Sequence, residues 1–245
     1  MNTELRHRLL ALQRRPGLEN RVGPLPLGIP AIDEVLGGGL LRGALHEIAA
    51  PGEPHIAATA GFVLGLAGHA GKRRSVFWIA EEMALAENGA PHGASLDAFG
   101  LAPERLVMVS VAHRRDLLWA MEEALRSRAA GVVIGEMRAG RIDEVAVRRL
   151  SLAAADSGAL AFLLRATPPS DASTAATRWI VGAAPSVTSQ CPGAPRFVAH
   201  LARNRYGPLG SWILEWSDSD ERFILPTHAQ PVAAPALNRS HRQVA

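Results

Sequence analysis

Residues 44–58 read ALHEIAAPGEPHIAA, and this stretch decides the fold. The apolar run 44–49 predicts a strand, and the apolar residues from Ile56 to His69 predict a helix. Pro51, Gly52 and Pro54 mark the turn between the two. A strand that leads through a short turn into a helix is the repeating unit of α/β proteins with a parallel sheet.

The same alternation continues along the chain. Apolar runs predict four more strands, at 75–79, 105–109, 131–134 and 159–165. Helical periodicity predicts a short helix at 96–99 and longer helices at 113–128 and 142–157. Strands at 178–182, 197–202, 212–216 and 222–225 then follow without intervening helices. The predicted fold is therefore α/β, with a mostly parallel sheet flanked by helices and antiparallel strands toward the C-terminus.

Composition favours one domain with tails. The chain has 245 residues, 48% of them hydrophobic, which suits one substantial core. We divide it into an N-terminal helix and linker (1–24), one domain (25–225) and a tail (226–245). The tail has three prolines and no acidic residue, so we expect it to be disordered and basic. There is no apolar run of about eighteen residues and no signal-peptide pattern, so we expect a cytoplasmic protein that does not contact a membrane.

The titratable residues predict neither a disulfide nor a metal site. Cys191 is the only cysteine, which excludes an internal disulfide and a cysteine-based zinc cluster. The nine histidines show no spacing typical of metal ligands. We therefore expect no cofactor. The formal net charge is +3, and Lys72 is the one cation that is not an arginine.

The turn after the first strand stands where many α/β proteins bind nucleotide phosphate. Such a loop has the pattern GxxxxGK[ST], in which backbone N–H groups and the lysine hold phosphates and the hydroxyl binds magnesium. Absence of the lysine and the hydroxyl removes about 3–6 kcal/mol of binding free energy. We therefore predict no ATP hydrolysis and a chain that is not an enzyme. The predicted degenerate phosphate loop comprises Ala50, Pro51, Gly52, Glu53, Pro54, His55, Ile56, Ala57 and Ala58.

Three segments resemble RecA. Leu27–Gly43, which reads LGIPAIDEVLGGGLLRG, is similar to the stretch that precedes the RecA phosphate loop. Segment 78–82, WIAEE, resembles the strand end that carries the water-activating glutamate, with Glu81 at the matching position. In segment 132–136, VVIGE, the position of the magnesium-associated aspartate is Gly135. The resemblance implies a RecA-like core with both phosphate-site signatures altered.

A RecA-like chain of this kind resembles the ImuA family of bacterial damage-inducible mutagenesis proteins. Segments 152–160, LAAADSGAL, and 202–208, ARNRYGP, ahead of 212–216, WILEW, add to a resemblance that covers about 25–225. It implies a non-catalytic accessory role in SOS-induced mutagenic translesion DNA synthesis. The implied partners are an ImuB-like inactive Y-family polymerase relative, RecA and, directly or through another subunit, an error-prone C-family polymerase. Contact with DNA would be secondary.

Basic residues supply one set of candidate interface positions. Arg203 and Arg205 follow the predicted strand 197–202, and continued alternation of the strand places both on one face. We interpret them as interface residues, and a solvated edge of the sheet is the alternative. The resemblance matches them with a basic pair of RecA that contacts a neighbouring subunit in the filament. We interpret Arg239 and Arg242 in the tail, with Leu237 and Val244 beside them, as a short basic and apolar recognition element. An inert, solvated chain end is the alternative.

Acidic residues supply the second set. Glu81, Glu82 and Glu136 lie at predicted C-terminal strand ends, where α/β sheets place ligand sites, and we interpret them as rim or interface residues. Two alternatives remain open. The chain could be a degenerate RecA-like ATPase that binds nucleotide through Glu81 or Glu136, or a SulA-like inhibitor of cell division.

Overall fold

The computed structural model describes residues 23–70, 74–138, 140–169, 173–185 and 193–226. The predicted N-terminal helix at 3–15 and the residues Lys72, Cys191, Arg239 and Arg242 lie outside these ranges. The division of the chain into three parts therefore remains a prediction. The described residues form one nine-stranded sheet with helices packed against it.

The sheet combines a parallel part with an antiparallel extension. Its strands are β1 (Ala44–Ala49), β2 (Ser75–Glu81), β3 (Leu106–Val111), β4 (Ala130–Met137), β5 (Leu160–Arg165), β6 (Thr177–Ala183), β7 (Arg196–Asn204), β8 (Gly210–Ser217) and β9 (Arg222–Ile224). Their order is β3-β2-β4-β5-β1-β6-β7-β8-β9. Strands β1 to β6 are parallel, and β7, β8 and β9 are antiparallel to their neighbours.

The described residues contain six α-helices, of which the first precedes β1 and the other five lie between strands. They are α1 (Pro30–Val35), α2 (Ile56–His69), α3 (Glu82–Asn88), α4 (Gly93–Ala98), α5 (Arg114–Arg126) and α6 (Glu144–Ser157). Local signals fix the ends of α6, because the Asp143 side chain accepts a hydrogen bond from the Val145 N–H and Gly158 adopts the left-handed conformation that ends a helix.

Two hydrophobic cores cover the two faces of the sheet. On the face we call the α2 face, α2 packs with Phe62 and Leu66 against Trp78 and Phe162 of the sheet. On the face we call the α5/α6 face, Leu117, Met121, Val147 and Leu150 of the two helices pack against alternate strand residues. Side chains that alternate along a strand point to opposite faces, so β1 to β5 contribute to both cores, whereas β6 to β9 contribute only to the core of the α2 face.

The antiparallel strands close over α2. Trp216 and Phe223 from β8 and β9 pack on each other with ring centroids 4.9 Å apart. Gly65 of α2 makes room for them, since a Cβ atom there would lie 2.6 Å from the Phe223 ring and 2.9 Å from the Trp216 ring. Gly61 makes room for Phe99, the residue after α4, because a Cβ atom there would lie 3.0 Å from the Phe99 ring. This explains why α2 is apolar on all sides and not only toward the sheet.

The predicted fold class is confirmed, with two differences in detail. Strand β6 belongs to the group without preceding helices, yet it pairs in parallel with β1, where Glu47 lies opposite Arg178. Helix α3 was not predicted, and it begins directly where β2 ends. Among the described residues, no helix is both long enough and apolar enough to cross a membrane.

Candidate functional site

The loop that follows β1 is docked onto the end of β6. Nδ1 of His55 accepts a hydrogen bond from the backbone N–H of Ala183 at 3.2 Å. The Thr59 hydroxyl lies 2.8 Å from the His55 carbonyl oxygen and 2.7 Å from that of Val181. A Cβ atom on Gly182 would lie only 3.2 Å from the His55 ring, so the absence of a side chain there allows the close approach. The loop therefore makes its polar contacts with its own chain.

The predicted phosphate-loop residues, 50–58, form the connection after β1 and the first three residues of α2. Ala50 is buried, and its N–H donates to the Arg165 carbonyl at 3.0 Å, whereas Glu53 and Pro54 are exposed. None of these residues has an ammonium or hydroxyl group, and the first hydroxyl is that of Thr59. Their description as a degenerate phosphate loop remains a prediction.

Glu81 ties β2 to neighbouring elements. One of its carboxylate oxygens accepts a hydrogen bond from the Arg138 N–H at 3.0 Å, and the other lies 3.5 Å from Nε of Arg114 at the start of α5. The Arg138 side chain in turn pairs with Glu87 of α3. Glu81 thus holds the ends of β2 and β4 against two helices.

Glu136 is buried in a separate polar cluster. Its carboxylate accepts hydrogen bonds from Nε1 of Trp78 at 2.8 Å and from Nδ2 of Asn88 at 3.2 Å. Burial raises the pKa of the Glu136 carboxyl, and the two hydrogen bonds offset part of this rise. Trp78 and Asn88 were not among the predicted site residues, because the pairing of β2 with β4 brings Trp78 to Glu136 and the unpredicted helix α3 brings Asn88 there.

The three predicted carboxylates do not converge. Glu136 pairs with Ala80 and faces the α2 side, while Glu81, the next residue along β2, faces the α5/α6 side. Glu82 is exposed in the first turn of α3. The arrangement therefore offers no joint site for these carboxylates, and of the three only Glu82 is freely accessible to a partner.

Arg203 and Arg205 reach the same loop. Arg203 donates to the carbonyl of Ser173, and Nη1 of Arg205 lies 3.5 Å from the carbonyl of Thr174. Strand β7 ends one residue before Arg205, whose guanidinium lies 5.7 Å from the ring centroid of Tyr206. The two arginines are thus brought together at the end of β7, as their alternation suggested, and their role in an interface remains a prediction.

A comparison with solved structures identifies the fold of this chain. No family model matches the chain, and no curated protein sequence matches it. Among solved structures, the RadB recombinase matches with a TM-score of 0.54 and 15% sequence identity, over 81% of this chain and 98% of that one. At this identity the likeness shows the fold alone, and the fold is RecA-like.

This likeness corrects one sequence-based expectation. The altered residues at positions 50–58 led us to predict that the chain is not an enzyme. That prediction is wrong, because the same fold belongs to a recombinase, and substitutions in one loop do not exclude activity for a chain with that fold. The fold alone does not determine whether a chain has enzymatic activity.

Proposed function

We propose that this chain is a RecA-like accessory protein in SOS-induced mutagenic translesion DNA synthesis and that it acts by binding protein partners. The observation that carries the proposal is the loop after β1. The chain forms a nine-stranded sheet, and the loop after β1 is docked on β6 by contacts such as the hydrogen bond from the Ala183 N–H to His55. Because substitutions in this loop do not exclude activity, we propose only that partners bind to the surfaces of the sheet, whether or not the chain is also active.

The proposed partners are those that the resemblance to a known family implies. Segments 152–160, 202–208 and 212–216 resemble the ImuA family, which implies an ImuB-like inactive Y-family polymerase relative, RecA and an error-prone C-family polymerase as partners. In this proposal, contact with DNA is secondary to contact with protein partners.

The end of β7 is the surface we assign to a partner. The Arg205 guanidinium lies 5.7 Å from the Tyr206 ring centroid, and Leu209, three residues further along the chain in the turn before β8, is 57% exposed. Arginine, tyrosine and an exposed apolar side chain together are typical of residues that dominate protein interfaces. Arg203 orients this surface through the Ser173 carbonyl.

The experiment measures binding of the purified chain to the ImuB-like protein and to RecA. We expect the wild-type chain to bind at least one of them, and the Arg203→Ala/Arg205→Ala variant to bind about tenfold more weakly. Arg222→Ala is the matched control, because Arg222 is an exposed arginine on another strand, 3.7 Å from Asp220. A thermal melt checks that both variants are folded.

A genetic measurement tests the biological role. Deletion of the gene should lower damage-induced mutation frequency, and the Arg222→Ala gene should restore it better than the double variant. The proposal fails if neither partner binds the wild-type chain and deletion leaves the mutation frequency unchanged.

A further inference from the structure

We infer that His55 is a pH-dependent switch, which holds the loop after β1 (50–55) on β6 when its ring is neutral and releases the loop when the ring is protonated. The inference concerns the chain itself and does not depend on a role in mutagenesis. It starts from a difference between the points at which β1 and β6 end.

Strand β6 continues beyond the end of β1. The two strands pair in parallel, and Ala49, the last residue of β1, lies opposite Ile180. The remaining residues of β6, 181–183, therefore have no strand on their β1 side. Backbone groups in such a position need another hydrogen-bond partner.

Two side chains take the place of the missing strand. The Thr59 hydroxyl lies 2.7 Å from the Val181 carbonyl oxygen. Nδ1 of His55 lies 3.2 Å from the backbone nitrogen of Ala183 and accepts its hydrogen. The hydrogen bond of this N–H therefore depends on the state of the imidazole ring.

Only the neutral form of His55 can make this contact. A backbone N–H is always a donor, so Nδ1 must be unprotonated and the ring hydrogen must lie on Nε2. A protonated imidazole carries a hydrogen on both nitrogens, and its Nδ1–H would face the Ala183 N–H. Because histidine changes its charge between about pH 5 and 8, mild acid replaces a hydrogen bond at this point by a repulsion.

The acidic residues near the ring cannot keep the protonated form in place. His55 belongs to the turn Glu53–His55, which packs between α2 and β6. Neither α2 nor β6 contains an acidic residue, so a protonated ring finds no carboxylate on them. Glu53 is exposed and lies in the same turn as His55, so it moves with the ring and cannot hold it on β6.

The cations of the surrounding strands and helix have partners of their own. Arg178 of β6 is bound to Glu47 at 2.7 Å, and Arg196 of the neighbouring strand β7 is bound to Glu215 at 2.6 Å. His69 is the last residue of α2, 2.6 Å from a carbonyl oxygen outside the helix. The contact of His55 with β6 is therefore the one whose protonation acts directly on the loop.

Release of the ring uncovers the backbone of β6. A Cβ atom on Gly182 would lie 3.1 Å from the Pro51 ring and 3.2 Å from the His55 ring, so the two rings cover this glycine. Ala50 and Thr59, on either side of the turn, keep hydrogen bonds of their own. The expected change is therefore confined to the residues between them.

Hydrogen exchange followed by NMR tests the switch on the full chain. The amide of Ala184 is the internal control, because its N–H donates at 2.9 Å to the carbonyl of Arg196, which does not titrate. Between about pH 7.5 and 5, the protection factor of Ala183 should fall about three- to tenfold more than that of Ala184. A loss of global stability would lower both protection factors alike and leave their ratio unchanged.

Three variants separate the charge of the ring from the contact itself. His55→Asn keeps an acceptor that does not titrate, so the ratio of the two protection factors should be constant with pH. His55→Ala removes the acceptor, so the ratio should be about three- to tenfold lower at every pH. His92→Asn is the matched control, because His92 is an exposed histidine before α4, and it should keep the pH dependence of the wild-type chain.

Each other outcome overturns the inference. A ratio that is constant with pH in the wild-type chain shows that the contact does not depend on the charge of a histidine. A pH dependence that persists in His55→Asn shows that another group titrates. Nitrogen NMR of the ring gives an independent result that needs no variant, and a hydrogen on Nδ1 at about pH 7.5 would show that His55 is not the acceptor.

Discussion

The two faces of the sheet are stabilised in different ways. The α2 face is covered by a glycine-containing helix and by aromatic rings, and its polar residues, such as His46 and Thr59, are buried with fixed hydrogen-bond partners. The α5/α6 face has an aliphatic core bordered by ion pairs, among them Glu122 with Arg126 and Arg149.

This difference shows on which face a substitution costs little free energy of unfolding. Helix α5 is apolar on one side and charged on the other, so substitutions on its outer side meet water. Helix α2 is buried on all sides, so almost any change along 61–68 meets packed atoms. The predictions below test this contrast, in order of decreasing effect.

Phe62→Ala should have the largest effect. Phe62 is 1% exposed, and its ring contacts those of Trp179, Phe197 and Phe223. Removal of a buried phenyl group lowers the free energy of unfolding by about 3–5 kcal/mol. Trp119→Ala on the outer side of α5 is the control and should change it by less than about 0.5 kcal/mol. Urea denaturation measures both, and equal effects would contradict the contrast.

His46 should make the α2 face sensitive to acid. Burial lowers the pKa of His46 to about 4, while its ring bonds Thr177 and the Leu41 carbonyl. Below about pH 6.5 the unfolded chain takes up a proton that the folded chain does not bind. Stability should therefore fall as the pH decreases from about 6.5 to 4, by up to roughly 3 kcal/mol from this group.

His46→Gln keeps a polar side chain but removes this titration. Denaturation curves at a series of pH values should show a shallower loss of stability for the variant than for the wild-type chain. Parallel curves for the two proteins would show that His46 does not cause the acid sensitivity.

Gly65→Ala should have an intermediate effect. The added methyl group would lie 2.6 Å from the Phe223 ring and 2.9 Å from the Trp216 ring, so the aromatic residues must shift. Overpacking of this kind lowers the free energy of unfolding by about 1–3 kcal/mol. Gly93→Ala is the matched control, because no atom lies within 4 Å of the position a Cβ would take there. An unchanged melting temperature for Gly65→Ala would show that the strands β8 and β9 do not press on α2.

Glu122→Ala should have the smallest effect of the four. Its carboxylate lies 2.5 Å from both Arg126 and Arg149, but these arginines are more than half exposed and regain water when it is removed. We expect a loss of about 1–2 kcal/mol and no measurable loss for the exposed neighbour Glu123→Ala. High salt should weaken the difference between the two, and calorimetry with and without salt measures it.

Much of the fold was predictable because local patterns decide it. Apolar runs of four to seven residues identified every strand of the parallel part, and periodicity identified α5 and α6 to within two residues at each end. Helix α3 was not predicted, because Glu82–Asn88 is short and its one buried residue, Ala84, gives no periodic signal. The parallel direction of β6 was not predicted either, because strand direction depends on where the chain crosses the sheet.

The candidate site was less predictable than the fold. The sequence identified the turn after β1 and its substitutions, but the inference from these to absence of enzymatic activity was wrong. The sequence also gave no signal for the contact of His55 with Ala183, which lie 128 positions apart. Contacts between residues far apart in the chain depend on the order of the strands in the sheet, and local sequence patterns do not specify that order.

The sequence by itself determined that residues 44–165 alternate between strands and helices and that the turn at 50–55 has no lysine, because both are properties of residues close together along the chain. Only the tertiary structure decided that Glu81 and Glu136 face opposite sides of the sheet, that β6 closes over the loop, and that β3 is left at an edge. The physical reason is that strand pairing joins residues far apart in the chain, so faces and edges exist only once the sheet has formed.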